Sequence, residues 1–362
     1  MKRREFMRAG AMGATAAATI GATAGMVAAP AVVRAQDKFA WKMTNAYGPG
    51  APMTTVGPGS PTRFAELVGS MSGGRLTFQH FAAGELIPAF EGFDAVVAGT
   101  VEANAANSYF WSGRSFAAQY FTNVPFGMSF PGHMAWLYHG GGMELWDEVY
   151  QPFGVVAFPF NNTGTQMTGW FRKEVTSVED FKGLKMRIPG LSGKVYAALG
   201  VDVRLLPGPE IFPALERGVI DAAEFVGPYS DRRLGLQKAA KNYYTTGWHE
   251  PNNAGELLIN KANWDSLPDD LKTMVRTAAM TCLVESYTWC ESVNGAALVE
   301  LVEKEGVIAR PLPPEVIARL REATADTLAT EAGKDPLVRK VHDHYMAFKA
   351  KHDRWSEIAR SV

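Results

Sequence analysis

Residues 184–226 read LKMRIPGLSGKVYAALGVDVRLLPGPEIFPALERGVIDAAEFV, and the fold class follows from this run. Residues 184–188 form a short apolar strand stopped by Pro189-Gly190. A helix over 191–199 ends at Gly200, a strand follows over 201–206, a helix over 209–217 ends at Gly218, and 221–226 is again a strand. Gly after the last helical residue and Pro at the start of the next helix are the usual punctuation. Strand–helix–strand–helix–strand at this spacing predicts a sheet of parallel strands covered by helices.

The same grammar appears upstream. Residues 38–44 alternate as a strand. Over 62–71, Phe64, Leu67, Val68 and Met71 fall at i, i+3, i+4 and i+7, the period of a helix buried on one face. Residues 75–81 and 101–107 read as strands around a helix at 88–98 that starts on Pro88, and 154–160 and 166–171 as two more strands. Residues 253–260 read as a strand returning to the first unit. Beyond 267 the chain is helical: one or two long helices over 267–305, a break at Pro311, Pro313 and Pro314, then helices over 315–330 and 336–355. The expected organisation is therefore α/β in two lobes. The first covers 36–160, completed by about 252–362, and the second covers 161–251. Several crossings between lobes imply a cleft, and ligands of open parallel sheets sit beyond the carboxyl ends of the strands.

Residues 1–35 do not fit that organisation. Lys2, Arg3 and Arg4 precede an uncharged stretch from 9 to 33, and Val33-Arg34-Ala35 offers small or modest residues for a cut after Ala35. This is the plan of an export signal, and Arg3-Arg4-Glu5-Phe6-Met7 is of the twin-arginine type. The stretch is rich in Ala, Gly and Thr, whereas a permanent span needs more Leu, Ile, Val and Phe. The expected location is the periplasm. The whole chain of 362 residues carries 36 cations and 37 anions, a net charge of −1. Without the leader, 31 cations face 36 anions, a net charge of −5, with none of the basic excess that nucleic acid requires. Cys282 and Cys290 are eight apart in a helical segment, about 12 Å along the axis, too far for a disulfide, so both are expected as buried thiols.

Motifs for catalysis are absent. Gly57-Pro58-Gly59-Ser60-Pro61 lacks the spacing of a nucleophile elbow. His249-Glu250 opens like a metalloprotease helix, but Asn253 stands where the second His belongs. Gly140-Gly141-Gly142 has no Lys-Ser/Thr after it and is no phosphate loop. The seven His residues are scattered and read as packing or surface groups. The expectation is a binding protein and not an enzyme, with a secreted lyase or hydrolase acting through Glu224 or Glu250 as the alternative.

Candidates for holding a small ligand cluster at strand ends. Arg187 closes the strand before Pro189-Gly190, and its planar fork suits a carboxylate; the other reading is an Arg paired with a protein acid. Glu224 stands among small and apolar neighbours, where a carboxylate must be paired or bind a cation. Gln166 follows Asn161-Asn162-Thr163-Gly164-Thr165, and its amide oxygen suits a hard cation. Asn162 is a further candidate contact. Tyr109 and Trp111 follow a strand end and would wall a pocket, or else belong to the core. Glu250 is a second acid in the loop Trp248-His249-Glu250-Pro251.

These residues carry a family resemblance. The segment from Gly183 to Gly190, with Pro209-Glu210-Ile211-Phe212-Pro213-Ala214-Leu215-Glu216-Arg217-Gly218-Val219-Ile220-Asp221-Ala222-Ala223-Glu224, resembles the extracytoplasmic solute receptors of TRAP transporters. Gly84-Glu85-Leu86 and the helical C-terminus extend the likeness over the chain beyond the leader. Asn162-Thr163-Gly164-Thr165-Gln166 and Trp248-His249-Glu250-Pro251 are similar to the 2-oxo acid (pyruvate-type) and lactate receptors. The resemblance implies a two-lobed periplasmic binding protein-like fold, each lobe a sheet flanked by helices, with a long helix shared between them. It implies a small monocarboxylate ligand clamped by Arg187 and a bridging Na⁺ or Ca²⁺ held by Gln166, Glu224, the carbonyl of Phe225 and Glu250. The membrane components of a TRAP transporter are the implied partner, or a sensor kinase in the alternative reading, with a homodimer formed through the C-terminal helices. One departure is Phe225, where the subgroup usually has Trp; the smaller ring suits a bulkier or more apolar ligand.

Overall fold

The computed structural model describes residues 37–359; the expected leader at 1–35 lies outside them. Eleven strands are present among the described residues: β1 (Phe39–Asn45), β2 (Leu76–Phe81), β3 (Ala103–Ala106), β4 (Val155–Asn162), β5 (Gly169–Phe171), β6 (Lys185–Arg187), β7 (Asp202–Arg204), β8 (Ala222–Ala223), β9 (Asn242–Tyr244), β10 (Ala254–Asn260) and β11 (Ile308–Arg310). They form two sheets, ordered β2-β1-β3-β10-β4 and β11-β9-β5-β8-β6-β7.

Both sheets are mixed, not purely parallel. β1 pairs parallel with β2 and β3, but β10 runs antiparallel to β3 and β4. In the second sheet β8-β6-β7 are parallel, and β5 is antiparallel to β8 and β9. The reason is the crossing. β4 leaves the first sheet and β10 re-enters it from the second, so they meet head to tail. β10 is buried along its length except at Asn260, because helices cover both faces of the sheet. Leu257 and Ile259 pack with Phe64, Val68 and Val275 on one side, while Leu258 joins Phe93, Phe121, Trp136 and Trp146 on the other. The second sheet is sandwiched likewise, by Val195, Tyr196, Val316 and Leu320 on one face and by Ile211, Leu215 and Leu301 on the other.

The segment 267–305 is a single helix, Asp269–Glu305, of 37 residues, about 55 Å long at 1.5 Å per residue. It has no internal Pro and ends at Gly306 in the left-handed region, φ 66°. Its first half packs Leu271, Val275, Ala278, Ala279 and Cys282 under the first sheet, and near its end Leu301 enters the core of the second. The helix is thus shared by the two lobes. Cys282 and Cys290 are both free and buried on it.

Three expectations are corrected. The helix at 88–98 shrinks to Gly92–Val97; Pro88 sits in a turn closed by Glu91 N–H donating to its carbonyl. Residues 308–310 were expected with the first lobe, but β11 pairs with β9 in the second sheet. The helix Pro314–Ala332 that follows packs Val316, Leu320 and Ala323 on the second lobe's core, while its end and the helix Pro336–Ala359 return to the first. Strands β9 and β11 are not among the strands that the sequence predicts. No helix of the described residues is long and apolar enough to cross a membrane.

Candidate functional site

The parallel strands β6 and β8 end side by side, and their last turns bring Arg187 against Glu224. Glu224 N–H donates to the Arg187 carbonyl at 3.0 Å. Arg187 Nη1 donates to the Glu224 carbonyl at 2.6 Å and to its Oε2 at 3.0 Å, and Nε donates to the Leu206 carbonyl at 3.2 Å. Arg187 is 3 % and Glu224 1 % exposed. None of these bonds uses Nη2. The guanidinium is therefore held through Nε and Nη1, which leaves Nη2 to read a ligand.

Two more acceptors converge here from the crossings between lobes. Gln166, between β4 and β5, donates its backbone N–H to the Glu250 carbonyl at 3.0 Å and its amide Nε2 to Thr163 Oγ1 at 3.0 Å. That orients Oε1 away, and Gln166 Oε1 has no hydrogen-bond partner; neither has Glu224 Oε1. Glu250, before β10, accepts from Asn253 Nδ2 at 2.6 Å. Burial, then the charge of Glu224, pushes the Glu250 carboxyl well above the usual carboxylate range, against the opposing Asn253 bond and Arg187. Two buried acids this close repel when both are ionised.

His249 joins them. Its Nε2 lies 3.7 Å from Glu224 Oε1, and neither ring nitrogen is hydrogen-bonded. Glu224, His249 and Glu250 can each place a ligand atom within 4.8 Å of the others. The histidine was read from sequence as a packing residue; its place next to Glu250 was the available signal. A donor set of buried carboxylate and amide oxygens with two orphaned acceptors fits a hard cation, whose charge would turn the repulsion into attraction.

Arg187, Gln166, Tyr109 and Phe225 line one small cavity with Tyr47, Asn107, Asn161 and Asn253. Its cavity volume is ≈ 10 Å³. Glu224 and Glu250 are not in its wall, but each is bonded to a residue that is. A polar chain runs round the first-lobe side. Tyr47 Oη donates to Asn107 Oδ1, Asn107 Nδ2 to Asn253 Oδ1 at 2.8 Å, and Asn253 Nδ2 to Tyr109 Oη at 3.4 Å. Burial raises the Tyr47 and Tyr109 phenols, so both stay protonated. Asp231 fixes the opposite wall by accepting from Val226 N–H at 3.0 Å and Gly227 N–H at 3.1 Å, just after Phe225.

Two expected site residues lie elsewhere. Trp111 is in the first lobe's core against Phe93, and its Nε1 donates to Tyr150 Oη at 3.0 Å. It follows the strand end, as expected, but the short helix Ser108–Trp111 turns it away from the cleft. Asn162 spends its side chain on the crossing, accepting from Gly164 N–H at 2.8 Å and donating to Asn252 Oδ1 at 2.7 Å. Asn161 lines the cavity instead; successive residues of a strand point to opposite sides. Tyr47, Asn107 and Asn253 were not singled out from sequence, since nothing local marks an Asn that faces a distant strand.

Residues 50–334 match the family described as bacterial extracellular solute-binding protein, family 7 (DctP). The chain is 39% identical over 358 residues to a monocarboxylate 2-oxoacid-binding periplasmic protein of Nostoc sp., covering 99% of this chain and 96% of that one. It is 40% identical to a solved TRAP periplasmic solute-binding protein of Pseudoalteromonas atlantica with bound sodium and pyruvate, with a TM-score of 0.86 over 90% of this chain and 98% of that one. It is 32% identical to one of Bordetella bronchiseptica, described as a mixed-occupancy dimer with copurified calcium and picolinate. That likeness has a TM-score of 0.87 over 90% of this chain and 96% of the other.

Proposed function

The chain belongs to family 7 of the bacterial extracellular solute-binding proteins, the receptors of TRAP transporters, and on that premise we propose that it captures a small 2-oxo or 2-hydroxy monocarboxylate between its lobes. The observation that carries this reading is the pair of buried oxygens without a hydrogen-bond partner, Gln166 Oε1 and Glu224 Oε1, beside a guanidinium held through Nε and Nη1. Arg187 takes the ligand carboxylate. Gln166, Glu224, Glu250 and the Phe225 carbonyl hold a Na⁺ or Ca²⁺, the ions found with pyruvate and picolinate in the similar proteins. The cation supplies positive charge that balances the two acids and draws the carboxylate in. Tyr47, Tyr109 and the Asn107–Asn253 chain orient the rest of the ligand from the first lobe. Closure of 161–251 on the first lobe is the state that the membrane components read, and no bond of the ligand needs to break.

Two finer points belong to the same proposal. The twin-arginine leader at 1–35 delivers the folded receptor to the periplasm, and two receptors pair through their C-terminal helices. Replacing Arg3 and Arg4 by Lys should retain the protein in the cytoplasm, and light scattering should give twice the monomer mass; a periplasmic variant or a monomeric mass would overturn the respective point.

The binding reading is tested by titration calorimetry with pyruvate and lactate in cation-stripped and cation-loaded buffer. Binding should weaken at least about tenfold without the cation, and Arg187→Ala should abolish it, since the lost charged hydrogen bonds are worth several kcal/mol. Equal affinity in the two buffers rejects the cation; unchanged affinity in Arg187→Ala rejects the clamp.

A further inference from the structure

Asp231 is a third buried acid, after Glu224 and Glu250. It lies on the helix Pro228–Leu234 of the second lobe. Its Oδ1 accepts from Val226 N–H at 3.0 Å and Gly227 N–H at 3.1 Å, and its Oδ2 from Trp170 Nε1 and Tyr243 Oη, each at 2.9 Å. Trp170 and Tyr243 come from β5 and β9, and their rings stack at 4.0 Å. Three of these four partners can only donate, which suits an ionised carboxylate. Among the described residues no Lys, Arg or His forms an ion pair with Asp231. A buried charge without a counter-charge is costly.

The same carboxylate fixes the turn that follows Phe225. Asp231 N–H donates to the Gly227 carbonyl at 2.9 Å, and Met167 N–H, next to Gln166, to the Val226 carbonyl at 3.1 Å. Residues 226 and 227 are thus held through both N–H groups and both carbonyls, and none of these bonds uses the Phe225 carbonyl. Burial pushes the Asp231 carboxyl up to about 7; the bonds from Trp170, Tyr243 and Val226 oppose this, and the charge of Glu224 adds to it. The two acids therefore feel one another across the turn. Glu224, Glu250 and Asp231 face one guanidinium, Arg187, and all four groups are at most 3 % exposed. With the three acids ionised, two negative charges exceed what Arg187 balances. A divalent ion cancels that excess, and a monovalent ion leaves half of it.

We propose that Asp231 sets the cation preference of the site: it positions the Phe225 carbonyl through the turn at 226–227, and its buried charge favours a divalent over a monovalent ion. This rests on the reading of Gln166, Glu224, the Phe225 carbonyl and Glu250 as the cation's ligands. Asp231 touches neither ion nor carboxylate and acts as a positioning residue. Coulomb attraction is proportional to the charge of the ion. Whatever factor the Asp231 charge lends to Na⁺ affinity is therefore squared for Ca²⁺, whereas a role in geometry alone has no such dependence on charge.

The test is calorimetry with Ca²⁺ on the full receptor without its leader, at fixed ionic strength and about pH 8, above the value to which burial lifts Asp231. Na⁺ affinity is read from its competition with Ca²⁺. Wild type should hold Ca²⁺ at least about tenfold more tightly than Na⁺. Asp231→Asn should weaken Na⁺ about threefold and Ca²⁺ about tenfold, so that the ratio of the two affinities falls about threefold. Tyr243→Phe removes one bond to the carboxylate and keeps its charge; it should move both affinities by one factor and leave the ratio as it was. Melting curves establish that the variants fold. Should Asp231→Asn not fold, Asp231→Ser, whose hydroxyl still accepts a backbone N–H, takes its place. A ratio that stays or rises in the neutral variant overturns the proposal. So does a wild type that holds Na⁺ as tightly as Ca²⁺. An equal fall of the ratio in Tyr243→Phe assigns the effect to geometry and overturns the role of the charge. Binding of neither ion, with or without pyruvate, defeats the cation reading itself and the proposal with it, and is a different result.

Discussion

Glu256 takes no part in the cavity, yet the fold resists its ionisation as it does that of Glu250. It is fully buried on β10 and accepts from Tyr150 Oη at 2.8 and 3.2 Å. Burial pushes its carboxyl up to about 8 from 4.5. The folded chain therefore keeps a proton that the unfolded chain loses. The stability this proton brings is fully present below about pH 4.5 and is lost as pH climbs through 8, a few kcal/mol as an order of magnitude. Glu256→Gln, which stays neutral, should lose less stability than wild type between pH 5.5 and 8.5 in urea titrations; parallel losses would mean that Glu256 ionises without cost. At this scale the sequence was informative where chemistry is local. Arg187 and Glu224 stood out at strand ends, Gln166 at the opening of a strand and Glu250 in a loop between lobes, and the fold gathers them. It was uninformative about direction: one residue of strand parity separates Asn161 from Asn162, and one short turn sends Trp111 into the core.

Elements show the same division. Strands and helices with a clear period were legible, and so was the helical C-terminus. Strands β9 and β11 and the antiparallel return of β10 were not, because pairing partners far apart in sequence leave no local trace. Packing between elements also sets single residues. Gly59 has φ 68°, and a Cβ there would sit 2.3 Å from the Cys282 carbonyl on the long helix. Gly59→Ala should therefore cost at least about 2 kcal/mol, combining backbone strain with a shift of the helix. Denaturant unfolding reads the loss directly; a change under about 0.5 kcal/mol would show that the loop 57–60 gives way freely.

For the whole molecule the decisive contacts are those between lobes. Gly48 belongs to the first lobe, and a Cβ on it would meet Pro209 Cγ of the second at 2.8 Å. Its backbone needs no left-handed conformation, so Gly48→Ala obstructs closure without straining the loop. Ligand affinity should fall about tenfold while the ligand-free melting temperature stays within about 2 °C, a loss of roughly 1.4 kcal/mol confined to the closed form. X-ray scattering should show less contraction on ligand addition than in wild type; full contraction with unchanged affinity would overturn the closure contact. The orphaned oxygens of Gln166 and Glu224 acquire a meaning at this scale. Each costs about 1–3 kcal/mol when shut away from water unpartnered, a cost that the proposed ligand and cation would remove together. A receptor that shuts with nothing inside sends a false report, and the membrane machinery would then turn over without cargo. Under the proposed reading, these two unpartnered oxygens would make closure without ligand unfavourable, a safeguard acting before any partner protein is met.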